Sequence, residues 1–166
     1  AELSQGRRFN SSILVGADGE RIGHYRKIHL PGDHEPRAGA AFQHLEKRYF
    51  ETGDLGFRCW RALGGRVGLL ICNDRRWPEA FRALTLQGAE LVTLGFNTPT
   101  ENLHYPEPPA LRVHHHLIMA QAMAFMNATW LVQTAKCGAE DGFRMFGHSL
   151  IVAPSGEIVA KTVSED

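Results

Sequence analysis

Val67-Gly68-Leu69-Leu70-Ile71-Cys72 is a short, continuously apolar run that ends abruptly in Asn73-Asp74-Arg75-Arg76-Trp77-Pro78-Glu79. A run of this length and character is expected of a strand buried on both faces, as in a parallel sheet. Pro78 suits the first turn of a helix, where its missing N–H has no partner to lose. Trp77, Phe81 and Leu84 repeat at helical spacing, and Gly88 is a fitting stop. Strand, polar turn and helix therefore follow one another, with a cysteine at the joint.

Outward from this joint, Leu91 to Leu94 reads as a second strand. The stretch from Pro99 to Pro109 reads as a long surface loop. Leu111 to Asn127 forms the longest helix, with Leu111, Ile118, Ala122 and Phe125 along one side and a second half apolar nearly all round, so that it is expected to be covered on more than one side. Thr129 to Ala135 and His148 to Ala153 are expected strands, and Pro154-Ser155-Gly156-Glu157 turns the chain into Ile158-Val159-Ala160. Upstream, Asp18-Gly19 between Ser12–Val15 and Arg21–Ile28 marks a hairpin, because glycine accepts the positive φ such turns need. Period-2 alternation places Ile22, His24, Arg26 and Ile28 on one face, and Tyr25, Lys27 and His29 on the other. Pro31-Gly32 ends that strand, and Ala41 to Phe50 is a short, poorly defined element. The pattern is a single α/β unit of mixed topology, without repeat, linker or low-complexity segment.

The chain has 166 residues, of which 43% are hydrophobic and 22% charged, enough for one sizeable core. Eighteen basic residues balance eighteen acidic ones, so no basic excess exists to drive binding to nucleic acid or an anionic membrane. No apolar run approaches the ~20 residues that span a bilayer. Three widely spaced cysteines, Cys59, Cys72 and Cys137, make no disulfide framework, and a cytoplasmic location is expected. The chain opens on Ala1 and stops soon after Thr162 without a further element, which leads to the expectation of a longer parent protein.

Cys72 has two readings. It is either a small buried core cysteine or a nucleophile, since thiolate is the reactive form and helix starts and nearby cations favour it. Lys27 is either an exposed strand lysine or a cation aimed at negative charge developing in a reaction. Arg75-Arg76 is either a solvated helix start or a seat for a substrate carboxylate. Positive charge at a helix N-terminus opposes the helix dipole, which favours the second reading. Cys59 and Cys137 have no comparable setting. His114, His115 and His116 are consecutive on a helix and cannot chelate together, His44-Leu45-Glu46 lacks the cysteine pair of zinc deaminases, and no HExxH occurs. No metal site is expected. GxGxxG, GxxxxGK[ST] and GxSxG are absent as well.

Tyr25-Arg26-Lys27-Ile28-His29-Leu30 and Cys72-Asn73-Asp74-Arg75-Arg76-Trp77-Pro78-Glu79, together with Arg8–Val15, resemble the nitrilase (carbon–nitrogen hydrolase) superfamily. Phe42–Phe50, Asn97-Thr98-Pro99-Thr100 and Gly147–Pro154 are similar to its members that hydrolyse N-carbamoyl-D-amino acids. The resemblance implies a four-layer α-β-β-α sandwich, of which residues 1–166 form the central part of a single carbon–nitrogen hydrolase domain, lacking N-terminal and C-terminal segments. It implies a homo-oligomer, no cofactor, a small N-carbamoyl amino acid as partner, and a glutamate–lysine–cysteine triad. Cys72 then fills the nucleophile's place and Lys27 the lysine's. Glu46 matches a second family glutamate that orients the lysine and substrate, while the general-base glutamate is expected on an earlier strand, before Ala1. Asn73, Arg75, Arg76, Asn97, Thr98, His29 and His44 match substrate contacts. Ammonia, carbon dioxide and a D-amino acid are the implied products. Two alternatives stay open: another amidase or ureidopropionase-like hydrolase of the superfamily, and a silent fragment or binding module without its base.

Overall fold

The computed structural model describes residues 1–40, 43–101 and 107–162. Residues 41–42 and 163–166, and residues 102–106 of the expected Pro99–Pro109 loop, lie outside them. The elements, in chain order, are β1 (Glu2–Ser4), β2 (Arg7–Phe9), β3 (Ser11–Val15), β4 (Arg21–Arg26), α1 (Glu46–Tyr49), β5 (Cys59–Ala62), β6 (Gly65–Ile71), a 3₁₀ turn (Cys72–Arg76), α2 (Pro78–Thr85), β7 (Leu91–Phe96), α3 (Pro109–Asn127), β8 (Trp130–Ala135), β9 (Ala139–Glu140), β10 (Phe143–Arg144), β11 (Leu150–Val152) and β12 (Ile158–Lys161).

A six-stranded mixed sheet, ordered β12-β11-β8-β7-β6-β5, organises the molecule. Its centre is parallel, with Leu69 opposite Thr93 on β6 and β7, and Thr93 opposite Val132 on β7 and β8. The apolar run through Val67–Leu70 is buried throughout, as its composition predicts. One face of β6 carries Gly68 and Leu70, and a side chain at Gly68 would collide with Leu84 of α2. The other face carries Val67 opposite Trp60. There the β3–β4 hairpin packs as a further layer, and Gly23 is small because the Trp60 indole lies 2.6 Å from where its Cβ would be. Helix, sheet and hairpin thus stack as successive layers, as the resemblance implies.

The hairpin pairs Ser12 with Tyr25 and turns through Asp18-Gly19, with Gly19 at φ +84. Its inner face buries Tyr25 and Lys27 completely. Beyond it, Gly32 at φ +83 bridges to Leu45, and a Cβ there would sit on the His44 carbonyl, so this crossing requires glycine.

The long helix corrects one expectation. Leu111, Ile118 and Phe125 lie exposed on its outer side, while Arg112, His116, Ala120, Ala124 and Asn127 are buried. The alanines let the helix approach the sheet closely, and the helix also packs against the turn after β6. Helical periodicity separates the two faces, but it does not say which of two apolar faces meets the sheet. No helix among the described residues is long and apolar enough to cross a membrane.

Candidate active site

Because β6, β7 and β8 run parallel, the loops that follow them open on the same edge of the sheet, where ligands bind in open α/β folds. Cys72 follows the last residue of β6, and Asn97 and Thr98 follow the last of β7. Cys72 takes φ +46, a left-handed conformation that a non-glycine residue adopts only when its surroundings impose it.

Asp74 imposes it. Its carboxylate is fully buried and accepts from Ile71 N at 2.9 Å, the Tyr25 hydroxyl at 2.9 Å and His29 N at 3.1 Å, and it meets His29 Nδ1 at 2.9 Å. The carboxylate therefore ties the turn bearing Cys72 to the strand bearing Lys27. Burial beside this anion drives the Tyr25 hydroxyl far above its ordinary pKa, so it stays a donor. Sequence reasoning gave Asp74 no role; a carboxylate two residues past a nucleophile candidate, at a turn needing backbone acceptors, was the available signal.

Lys27 is entirely buried, and its Nζ donates to both carboxylate oxygens of Glu46, at 2.8 and 2.7 Å. Asn10 Nδ2 holds Glu46 Oε2 as well, at 3.2 Å. With its oxygens so engaged, Glu46 is placed to orient the lysine rather than to take a proton from sulfur. The bland reading of Lys27 as an exposed strand lysine is excluded by its burial.

Arg75 is 5% exposed. Its Nη1 donates to the Cys72 carbonyl at 3.2 Å and lies 3.9 Å from Cys72 Sγ, and its Nη2 donates to Thr98 Oγ1 at 3.2 Å. The guanidinium rests 3.9 Å above the Phe96 ring. Burial pulls its pKa down, while Cys72 favours the charged form. Arg76 points outward and is exposed. The pair named together in the sequence thus divides into one buried cation against the nucleophile and one at the surface.

The remaining expected contacts separate into two groups. His44, Glu46 and Asn97 share a cavity of about 370 Å³ with Leu45, Pro99 and Met145. Burial depresses the His44 pKa, with Glu46 opposing that shift. His29 and Asn73 instead line a different cavity of about 500 Å³ with Lys47, Phe50 and Trp77. There the His29 ring is stacked on Trp77 at 5.1 Å and on Phe57 at 5.9 Å, and Asn73 Nδ2 donates to the His29 carbonyl at 3.1 Å. Among the described residues no three His, Cys, Asp or Glu side chains gather as a metal ion requires.

A carbon–nitrogen hydrolase family model matches residues 1–166. An N-carbamoylputrescine amidase of Solanum lycopersicum is 34% identical over 96% of this chain and 52% of its own length. A nitrilase of Pyrococcus abyssi is 34% identical over 92% of the chain and 48% of its own length. The crystal structure of a carbon–nitrogen hydrolase from Helicobacter pylori G27 superposes with a TM-score of 0.81 at 30% identity, covering 97% of this chain and 55% of that one. The chain spans about half the length of these curated relatives.

Proposed function

The chain belongs to the carbon–nitrogen hydrolase family, and from that membership we propose that it carries the nucleophile of an enzyme that hydrolyses N-carbamoyl-D-amino acids. The observation that carries the reading is the buried Arg75 guanidinium held between Cys72 and Thr98. A substrate with a carboxylate close to its scissile bond needs such a cation beside the nucleophile. The D configuration rests on the likeness of Asn97-Thr98-Pro99-Thr100 and Gly147–Pro154 to that branch of the family.

The Cys72 thiolate attacks the carbamoyl carbon, and the carbonyl π electrons move onto oxygen. Lys27 Nζ and the Asn73 backbone N–H stabilise that oxyanion. Collapse expels the terminal nitrogen, which leaves protonated as ammonia, and a thiocarbamate remains on Cys72. Water adds to it, the sulfur leaves, and the N-carboxy product loses carbon dioxide to give the amino acid. The general base for both additions is the further carboxylate implied by the resemblance, supplied by the full-length protein.

N-carbamoylputrescine, named for four of the relatives, would bring an amine cation toward the buried Arg75, which disfavours it. The test is ammonia release from N-carbamoyl-D-phenylglycine, its L enantiomer and N-carbamoylputrescine, using the full-length protein that carries this chain and its Cys72→Ala variant. Turnover of the D compound alone, lost in Cys72→Ala, is expected. Turnover of N-carbamoylputrescine instead would replace the acid reading by the amine one. A folded protein idle on all three would be a binding module.

A further inference from the structure

Arg75 Nε, His116 Nδ1 and Gln133 Oε1 are buried without a hydrogen-bond partner among the described residues. A fourth such atom, Arg112 Nη1, belongs to a guanidinium that faces Glu107 instead. Arg75, His116 and Gln133 are all buried side chains, and buried polar atoms ordinarily find a partner in protein or in ordered water.

The three gather around Phe96. Strand alternation puts Val92, Leu94 and Phe96 on the sheet face that the helices cover, since Val92 lies opposite Gly68, where Leu84 of α2 packs. The Arg75 guanidinium rests 3.9 Å from the centre of the Phe96 ring, and the His116 ring lies 5.4 Å from it. Gln133 pairs with Leu94, two residues before Phe96, so it stands on the same face, one strand over and diagonal to Phe96. It pairs with Leu150 on its other side, just past the His148 carbonyl that His116 Nε2 meets at 3.0 Å. Phe146 closes the group. Its ring meets His116 edge-on at 5.3 Å, and its N–H donates at 2.7 Å to the carbonyl of Thr98, whose hydroxyl accepts from Arg75.

Donors and acceptors can be counted. Arg75 Nε carries one hydrogen. His116 Nε2 faces a carbonyl and must donate to it. Burial and the Arg75 charge push the pKa of this ring down to about 4, so it is neutral and its Nδ1 is an acceptor. Gln133 Oε1 is a second acceptor. One hydrogen cannot serve both. A water that accepts once and donates twice satisfies all three atoms, and three hydrogen bonds are what a buried water ordinarily makes.

We propose that one buried water accepts from Arg75 Nε and donates to His116 Nδ1 and Gln133 Oε1, which makes His116 and Gln133 positioning residues for the arginine beside the nucleophile. With Nη1 on the Cys72 carbonyl and Nη2 on Thr98, the guanidinium is then fixed at all three nitrogens. The water rests on these atoms alone, whereas its effect on a substrate carboxylate rests on the function proposed above.

The test is a pair of high-resolution crystal structures of the full-length protein that carries this chain, parent and Gln133→Met, which keeps the side chain's length and removes its acceptor. The parent is expected to hold one ordered water within about 3.2 Å of all three atoms. In Gln133→Met that water should be lost and Arg75 Nη2 withdrawn from Thr98 Oγ1. The Gln133 amide meeting His116 directly, no water at this place, or an arginine unmoved in the variant would overturn the proposal. His116→Gln, which removes the Nδ1 acceptor and keeps a donor for His148, serves for the same comparison if Gln133→Met does not fold. Kinetics separate positioning from mere support. KM for N-carbamoyl-D-alanine should rise about tenfold in the variant with kcat nearly kept, while KM for N-carbamoyl-D-alaninamide stays unchanged. A fall in kcat alone, or an equal rise in both KM values, would leave the two side chains no positioning role. An idle parent enzyme in which the water and the arginine shift are both seen sinks the reaction and keeps the positioning; turnover without the water does the reverse.

Discussion

Lys27 Nζ, withdrawn completely from solvent, is gripped by both carboxylate oxygens of Glu46 at 2.8 and 2.7 Å. The lysine comes from the end of a strand whose inner face is otherwise core, and the glutamate from a single helical turn nearly twenty residues on. Neither stretch has enough apolar content to explain why the chain brings them together. A buried ammonium is tolerated only with such a partner.

Glu46→Gln is therefore expected to cost about 3 kcal/mol of folding stability, because it strands the ammonium. Adding Lys27→Met should recover most of that loss, since an apolar pair of similar volume avoids desolvating charge. Both variants should lose hydrolysis. Denaturant midpoints alongside ammonia release check this. Failure of Lys27→Met to restore stability would mean the pair is not a desolvated unit.

The hairpin and the joint after β6 were legible because each is written in local chemistry. Asp18-Gly19 specifies a turn, alternation gives the face shared by Tyr25 and Lys27, and Val67–Ile71 has no polar face to expose. The outward face of α3 was not legible. Its inward stripe of Arg112, His116, Ala120 and Ala124 looks less apolar than the stripe that faces outward, and only the sheet beneath it decides. In the site, Cys72, Lys27 and Glu46 could be named from motifs. Asp74 ties its own turn to Tyr25 and His29, more than forty residues away, and no local pattern carries such contacts.

Cys72 sits at φ +46, a conformation that costs a side-chain-bearing residue roughly 1 kcal/mol and costs glycine little. Cys72→Gly and Cys72→Ala should both abolish hydrolysis. Of the two, Cys72→Gly should be the more stable by about 0.5–1 kcal/mol, in spite of its greater unfolded-state freedom. Thermal unfolding of the two proteins side by side tests whether the turn stores strain at the nucleophile. Equal or reversed stabilities would remove that account.

Asp74 accepts from Tyr25, from the His29 and Ile71 backbone nitrogens, and meets the His29 ring. Asp74→Asn replaces an acceptor with a donor amid these donors, and should cost about 3 kcal/mol. Tyr25→Phe removes a single donor from the same carboxylate and should cost about 1 kcal/mol. The ordering, read from urea midpoints, is the test: a Tyr25→Phe loss as large as that of Asp74→Asn would place the anchoring in the phenol rather than in the carboxylate.

His116 supplies the pH dependence. It is 3% exposed, and its Nε2 meets the His148 carbonyl at 3.0 Å. Burial, reinforced by the Arg75 charge, pushes its pKa down from 6.5 to about 4. Between those values the unfolded chain holds a proton that the folded chain refuses, so stability rises with pH across that interval. The contribution is present in full above pH 6.5 and is lost as pH falls toward 4, amounting to roughly 3 kcal/mol. His116→Gln should lack this component: its stability curve should run flatter from pH 6.5 to 4 than that of the parent, with the two converging at the acid end relative to neutral pH. Parallel curves over that interval would show that the imidazole takes up its proton in the folded protein as readily as in the unfolded one, and that Arg75 does not bear upon it.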